Sequence, residues 1–138
     1  MVQVEIEKQL MMRVEENIAT LAEVTNIVAS SGTNMVAICA YAIEDTVALM
    51  FVTEDNNAAK SLLEKKGYEI VEEEVLVLSI ENKPGALQAV TERIAQAGID
   101  LSLIYGSVDK NANTTKIIII SKDNAEAMML IKAEFGRS

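Results

Sequence analysis

The stretches LAEVTNIVASSGTNMVAI (residues 21–38) and LQAVTERIAQAGIDLSLI (87–104) fall on one another when the chain is slid by 66 positions. Leu21/Leu87, Val24/Val90, Thr25/Thr91, Ala29/Ala95, Gly32/Gly98 and Ile38/Ile104 coincide. A second block repeats at a spacing of 68, TEDNNAAKSLL (53–63) against SKDNAEAMMLI (121–131). The two extra residues fit the polar loop DKNANTT, whose counterpart IEDT is shorter. A self-match at a fixed period over this much of a chain marks a duplicated structural unit.

Each unit reads strand, helix, strand, strand, helix. In the second, VLVLSIE (75–81) is rich in β-branched and aliphatic residues and predicts a strand. Residues 85–97 place Leu87, Val90, Ile94 and Ala97 on one helical face, with Glu92, Arg93 and Gln96 opposite. Gly98 then ends that helix as a left-handed cap. DLSLIYGSV alternates as a strand, TTKIIIIS reads as a buried strand, and Asp123 or Asn124 starts a closing helix. The first unit repeats the order with helices near 18–31 and 55–66, then adds a strand over 68–75 after Gly67, giving βαββαβ.

The second unit ends at FGRS with no such strand. The same 66-residue shift lays MVQVEIEKQLMMRVEE over GYEIVEEEVLVLSIEN, so the N-terminal segment is the repeat-equivalent of the missing strand. Residues 2–7 are expected to close the second unit's sheet and 68–75 the first's, or the reverse by exchange. Val2, Val4 and Ile6 alternate with Gln3, Glu5 and Glu7, which argues against a loose tail. The expected domains are 9–75 and 76–138, the latter completed by strand 1–8. At both junctions the closing strand runs without a turn into the next unit's first strand, which predicts two sheets tied side by side.

Composition narrows the function. Half the residues are hydrophobic but only 4% are aromatic, so the core must be aliphatic, with seven Met as adaptable filler. The pairs Met11–Met12 and Met128–Met129 read as such packing. A net charge of −9 opposes binding to nucleic acid and to anionic membrane surfaces. The single cysteine, Cys39, lies in the apolar run MVAICAYAI and reads as a small buried hydrophobe rather than a nucleophile. It forms no internal disulfide framework, which points to a reducing, cytoplasmic setting. No histidine is present, which removes histidine-based catalysis, metal sites and pH switching. Glu72, Glu73 and Glu74 alternate across a strand and read as a solvated edge rather than a cation site. No metal or cofactor is expected.

The turn ENKPG (81–85) holds the only proline of the chain beside one of its six glycines. Proline at a first helical position has φ preset and needs no N–H partner. Gly85 lets a ligand approach the backbone, and the N–H groups of Gly85, Ala86 and Leu87 at the positive end of the helix dipole form a carboxylate receptor. Asn82 supplies both a donor and an acceptor, suiting a zwitterion, or alternatively caps the helix. Lys83 reads as a carboxylate partner or a solvated loop charge, and Asp100 as an ammonium partner or a solvated strand-edge carboxylate.

The pieces SIENKPGALQAVTERIAQAGIDLSLI (79–104) and RVEENIATLAEVTNIVASSGTNMVAI (13–38) resemble the ACT domain, a ferredoxin-like module that binds amino acids and regulates metabolic enzymes. The resemblance spans nearly the whole chain as two tandem copies. It implies an α+β fold of two ferredoxin-like βαββαβ units, with the ligand between this turn and the strand edge of an adjacent copy. The positions carried over are Asn82, Lys83, Pro84, Gly85, Ala86 and Leu87, with Gly98, Ile99, Asp100 and Leu101 beyond the helix. The first copy has Glu16, Asn17, Ile18 and Ala19 where the second has Asn82, Lys83, Pro84 and Gly85. The charge of Glu16 opposes a carboxylate there, so the first copy is expected to be a structural partner offering a wall around Val36–Ala40.

The function expected is a non-enzymatic amino-acid-binding regulator of a separate metabolic enzyme, in amino-acid biosynthesis by family analogy. It is expected to form a homodimer, because ACT sheets associate edge to edge. The alternative is an ACT-fold assembly subunit with a vestigial site. An acylphosphatase-like enzyme needs an Arg-bearing phosphate loop, and Arg occurs only at 13, 93 and 137, none of them in a Gly-rich loop. An RNA-binding sheet is opposed by the negative charge and the scarcity of aromatics.

Overall fold

The computed structural model describes residues 2–15, 18–107 and 110–136. In chain order the elements are β1 (Gln3–Glu15), α1 (Ile18–Ser30), β2 (Met35–Ile43), β3 (Thr46–Thr53), α2 (Asn56–Lys65), β4 (Val71–Glu81), α3 (Ala86–Gln96), β5 (Leu101–Ser107), β6 (Thr114–Ser121) and α4 (Asn124–Phe135). The closing strand of each repeat and the opening strand of the next are fused without interruption, as 13-residue β1 and 11-residue β4. Residues 68–70, expected to begin the closing strand, precede β4 instead. They follow the cap of α2, where Gly67 takes φ 94° and the Tyr68 N–H donates to Leu63 O.

The chain divides into two compact units, Lys8–Glu73 and Met1–Glu7 with Glu74–Ser138. In the Lys8–Glu73 unit, β3 lies between β2 and β1, and β1 neighbours β4. The antiparallel register sets Leu10 opposite Phe51 and Met12 opposite Leu49. In the other unit the order is β1, β4, β6, β5, with Leu76 opposite Ile119 and Leu78 opposite Ile117. Each unit has its own aliphatic core. Val2 and Val4 pack with Leu76, Leu78, Ile80, Val90, Ile94, Ile117, Ile119 and Ile131. Leu10, Met12 and Val14 pack with Val24, Ile27, Val28, Leu49, Phe51 and Leu63. The N-terminal strand therefore completes the second repeat's sheet, while its continuation opens the first.

The repeated S/T-x-D-N blocks explain how each second helix is fixed. Asp55 and Asp123 are N-caps whose side chains accept from the N–H groups of Ala58 and Glu126. The following asparagine makes a three-way clamp. Asn56 Oδ1 accepts from Thr53 N (3.1 Å) and Thr53 Oγ1 (2.7 Å), and its Nδ2 donates to Lys8 O at 2.9 Å. Asn124 does the same with Ser121 N and Oγ (both 2.8 Å) and with Glu74 O at 3.3 Å. Each clamp pins a helix start to the long strand of its own unit.

The cap at Gly98 forms as its residue type predicts. Gly98 takes φ 73°, its N–H donates to Ala95 O, and the Ile99 N–H reaches back to Ile94 O. This is the paired-bond helix ending that glycine favours, with Ile94 and Ile99 both buried beneath it. Val90 and Ile94 form the buried face of α3, whereas Leu87 stays 36% exposed. Cys39 is half-buried, not buried, because β2 is an edge strand paired only with β3. Of the Glu72–Glu74 run, Glu72 pairs with Lys60 at 3.2 Å across the surface.

Candidate functional site

The turn between β4 and α3 does not start the helix where the proline suggests. α3 begins at Ala86 with Gly85 as its N-cap, so Pro84 precedes the helix. The reason is the backbone at Gly85, which takes φ 87° in the left-handed region that a residue without Cβ adopts freely. The Ala86 N–H, expected to be free, turns back onto Lys83 O at 3.3 Å. Among the described residues the Gly85 and Leu87 N–H groups donate to no protein acceptor. A Cβ built on Gly85 meets nothing within 4 Å, so the approach to this backbone is open.

Asn82 does not cap the helix, and α3 has no side-chain cap. Its Nδ2 donates to Ala112 O at 3.0 Å, and its N–H donates to Asn113 O at 2.9 Å. It ties the turn to the β5–β6 loop and so holds the turn's shape. Lys83 Nζ lies 2.9 Å from Glu81 Oε2 across the turn. That ammonium hydrogen bond holds the Glu81 carboxyl well below its ordinary value, at about 2. A carboxyl whose folded value is depressed adds stability above its unfolded value of 4.5, and that stability is lost as pH falls toward 2. Melting curves of Glu81→Gln and the parent are therefore expected to converge as pH drops through that window. Because both side chains are exposed, the gap at neutral pH should be small.

The turn opens into a cleft of about 290 Å³ that lies wholly within one unit. Lys83, Pro84, Gly85 and Ala86 form one side. Val2 at the start of β1, Ile80 and Glu81 at the end of β4, Ala89 on α3 and Phe135 at the end of α4 form the rest. The Val2 N–H donates to Phe135 O at 3.2 Å, which brings the two ends of the unit together beside the turn.

The remaining expected positions lie elsewhere. Gly98, Ile99, Asp100 and Leu101 follow the other end of α3, an 11-residue helix that spans about 16 Å. Gly98 is the helix ending, Ile99 belongs to the core, and the Asp100 carbonyl accepts from the Lys122 N–H while its residue is exposed. Leu87 is on α3 but does not line the cleft. Val2, Ile80, Glu81, Ala89 and Phe135 were not foreseen. The signal for Val2 was available, because a strand over 2–7 in the second unit's sheet brings it beside the end of 75–81.

The first repeat's equivalent of the turn, Glu16 and Asn17, lies outside the described residues. Its helix α1 opens at Ile18, which is 79% exposed. Val36–Ala40 lies on β2, at the edge of its own unit's sheet.

Two βαββαβ units, each with its own core, define a paired α+β module. A family model described as "ACT domain pair" matches residues 5–134, and the chain belongs to that family. No curated protein matches it. Among solved structures it is similar to protein BT0572 from Bacteroides thetaiotaomicron, with TM-score 0.87 and 23% identity over 95% of this chain and 90% of that one. The regulatory subunit of aspartate kinase from Thermus thermophilus, in a ligand-free form, gives TM-score 0.70 and 15% identity over 96% of each chain. Aspartokinase III of E. coli, solved with aspartate and ADP, gives 0.61 and 15% over 99% of this chain and 33% of that one. Among the described residues no helix is long and apolar enough to cross a membrane.

Proposed function

We propose that this ACT domain pair is a non-catalytic regulator that binds a free amino acid at the Asn82–Leu87 turn and acts on a separate cytoplasmic enzyme of amino-acid biosynthesis. The observation that carries the proposal is the left-handed Gly85 at the mouth of a cleft, with Asn82 bracing the turn from behind. The similar Thermus thermophilus chain is a regulatory subunit of an aspartate kinase and matches this chain end to end, which supports action on a separate partner. A homodimer through the edge strands fits the same picture. Neither β2 nor β5 carries a charged residue, and Ile38, Tyr41 and Ile104 are 45%, 47% and 42% exposed along them. The same edges favour the second reading, an assembly module whose turn has lost its ligand.

The two readings part on thermal melting against the twenty amino acids at millimolar concentration. A ligand at about 100 times its dissociation constant adds on the order of 2.7 kcal/mol, a shift of several degrees in a chain of this size. One chemical class should raise the midpoint. Gly85→Val, which forces a β-branched residue into the left-handed region, should abolish that rise, as should Asn82→Ala, which unties the turn. If no amino acid shifts the midpoint, the assembly reading stands and the ligand reading falls.

A further inference from the structure

We infer that Cys39, Met50 and Met11 form a sulfur site for a soft monovalent metal ion, Cu(I), on the face of the Lys8–Glu73 sheet turned away from its helices. The chain has seven methionines and one cysteine in 138 residues. Three of them stand in one row across three neighbouring strands. Cys39 on β2 is directly opposite Met50 on β3, and Met50 is directly opposite Met11 on β1. Residues directly opposite in an antiparallel pair share a face of the sheet, with Cβ atoms about 4.5–5.5 Å apart. The alternation along each strand identifies that face. Leu10 and Met12 beside Met11, and Leu49 and Phe51 beside Met50, belong to the core that packs on α1 and α2, whereas Met11, Met50 and Cys39 do not.

Met50, in the middle of the row, is 3% exposed, while Cys39 and Met11 on either side are half-buried and reachable from solvent. Cys39 is a free thiol. The paired positions that flank the row on this face are Ala37 and Val52 on one side, and Tyr41, Ala48 and Arg13 on the other. None of these is a carboxylate or an imidazole, so the donors are sulfur. One thiolate with two thioethers is a soft donor set of the kind that holds Cu(I). Methionine's unbranched chain, with its rotatable bonds, lets Met50 and Met11 lean their sulfurs toward Cys39. Binding exchanges the Cys39 S–H bond for an S–Cu bond. The proton leaves to solvent, the copper stays monovalent and no electron moves. The second repeat supplies an internal comparison: its equivalent row is Tyr105, Ile118 and Val77, in the same register and without sulfur. Packing at these positions therefore does not require sulfur, and the three sulfurs are particular to the first repeat.

Anaerobic competition of the full chain against the Cu(I)–bicinchoninate complex tests this, read as loss of the complex's colour. The parent should withdraw one Cu(I) per chain. Losing even an outer-shell partner costs a metal site about 10–100-fold in affinity, so Cys39→Ser and Met50→Leu should each weaken binding at least about tenfold, and Met11→Leu at the rim at least about threefold. Met12→Leu, one residue along but on the core face, should bind within about twofold of the parent. Leucine keeps most of methionine's volume, and melting curves check that each variant is folded. A parent that withdraws no copper overturns the assignment, as does copper held equally well by Cys39→Ser. Binding by Met50→Leu that matches the parent also overturns it and leaves an ordinary surface thiol. The site makes no use of the Asn82–Leu87 turn, so either can fail without the other.

Discussion

Asn124→Ala is expected to lose about 2–4 kcal/mol of stability, and Asn56→Ala a similar amount, from the removal of single side chains that lie partly at the surface. Each asparagine closes three hydrogen bonds at once, two from the Ser121 or Thr53 backbone and hydroxyl and one to the Glu74 or Lys8 carbonyl. Ser121 and Thr53 are 8% and 7% exposed, so the donors left behind are largely shut off from water. An unsatisfied buried donor costs about 1–3 kcal/mol, more than the net value of the bond itself. The neighbouring caps Asp123 and Asp55 remain in place, which keeps the loss local to the clamp. The two clamps share no partner, so the double variant should lose close to the sum of the single losses. Thermal midpoints should drop by roughly 10 °C for each single change. A drop under a degree or two would mean that ordinary helix propensity, and not the clamp, holds these helices.

Phe51→Ala is expected to cost about 3–5 kcal/mol, the range for deleting a buried aromatic from a core. Phe51 is 0% exposed and pairs with Leu10 and Ile38 across the two neighbouring strands. The other buried residues of its core are Leu, Val, Ile, Ala and Met, with the partly buried Tyr68 packed against them. Urea titration should show a large fall in midpoint with little change in slope, since the folded surface stays the same. Phe51→Leu should cost about 1 kcal/mol, because it keeps most of the volume. Equal losses for the two variants would assign the effect to the ring itself.

The repeat made most of the fold legible before any coordinates. Coincidences such as Val24/Val90 and Gly32/Gly98 located the helices and their ends, and the overlay of 1–16 on 67–82 marked the N-terminal strand as a closing strand, for the second sheet or, by exchange, the first. The clamp was half legible. The repeated D-N pair announced a helix start, but the carbonyls of Lys8 and Glu74 are 48 and 50 residues away and carry no side-chain signature. Pro84 misled by two positions, because proline is read from its fixed φ while the decisive residue was Gly85 with φ 87°. The cleft was the least legible part. Val2 and Phe135 come from opposite ends of the chain, and periodicity reports which face a residue occupies, not which distant residue it meets. Cys39 read as buried because its run is apolar, and only the sheet order reveals that the run is an edge.

The division of β1 between two cores also sets an order of events during synthesis. Residues 8–73 form a continuous piece that holds every strand and helix of its unit, so it has all its partners while the rest of the chain is still being made. The other unit is discontinuous: Val2 and Val4 are synthesised before the whole of the 8–73 piece and Ile131, which shares their core, after it. At about 5–20 residues per second, that first strand waits on the order of ten seconds, its apolar face uncovered, for the helix that completes its core. The alternating glutamates at positions 5 and 7 place charge on that waiting edge, which discourages pairing with a neighbouring nascent chain.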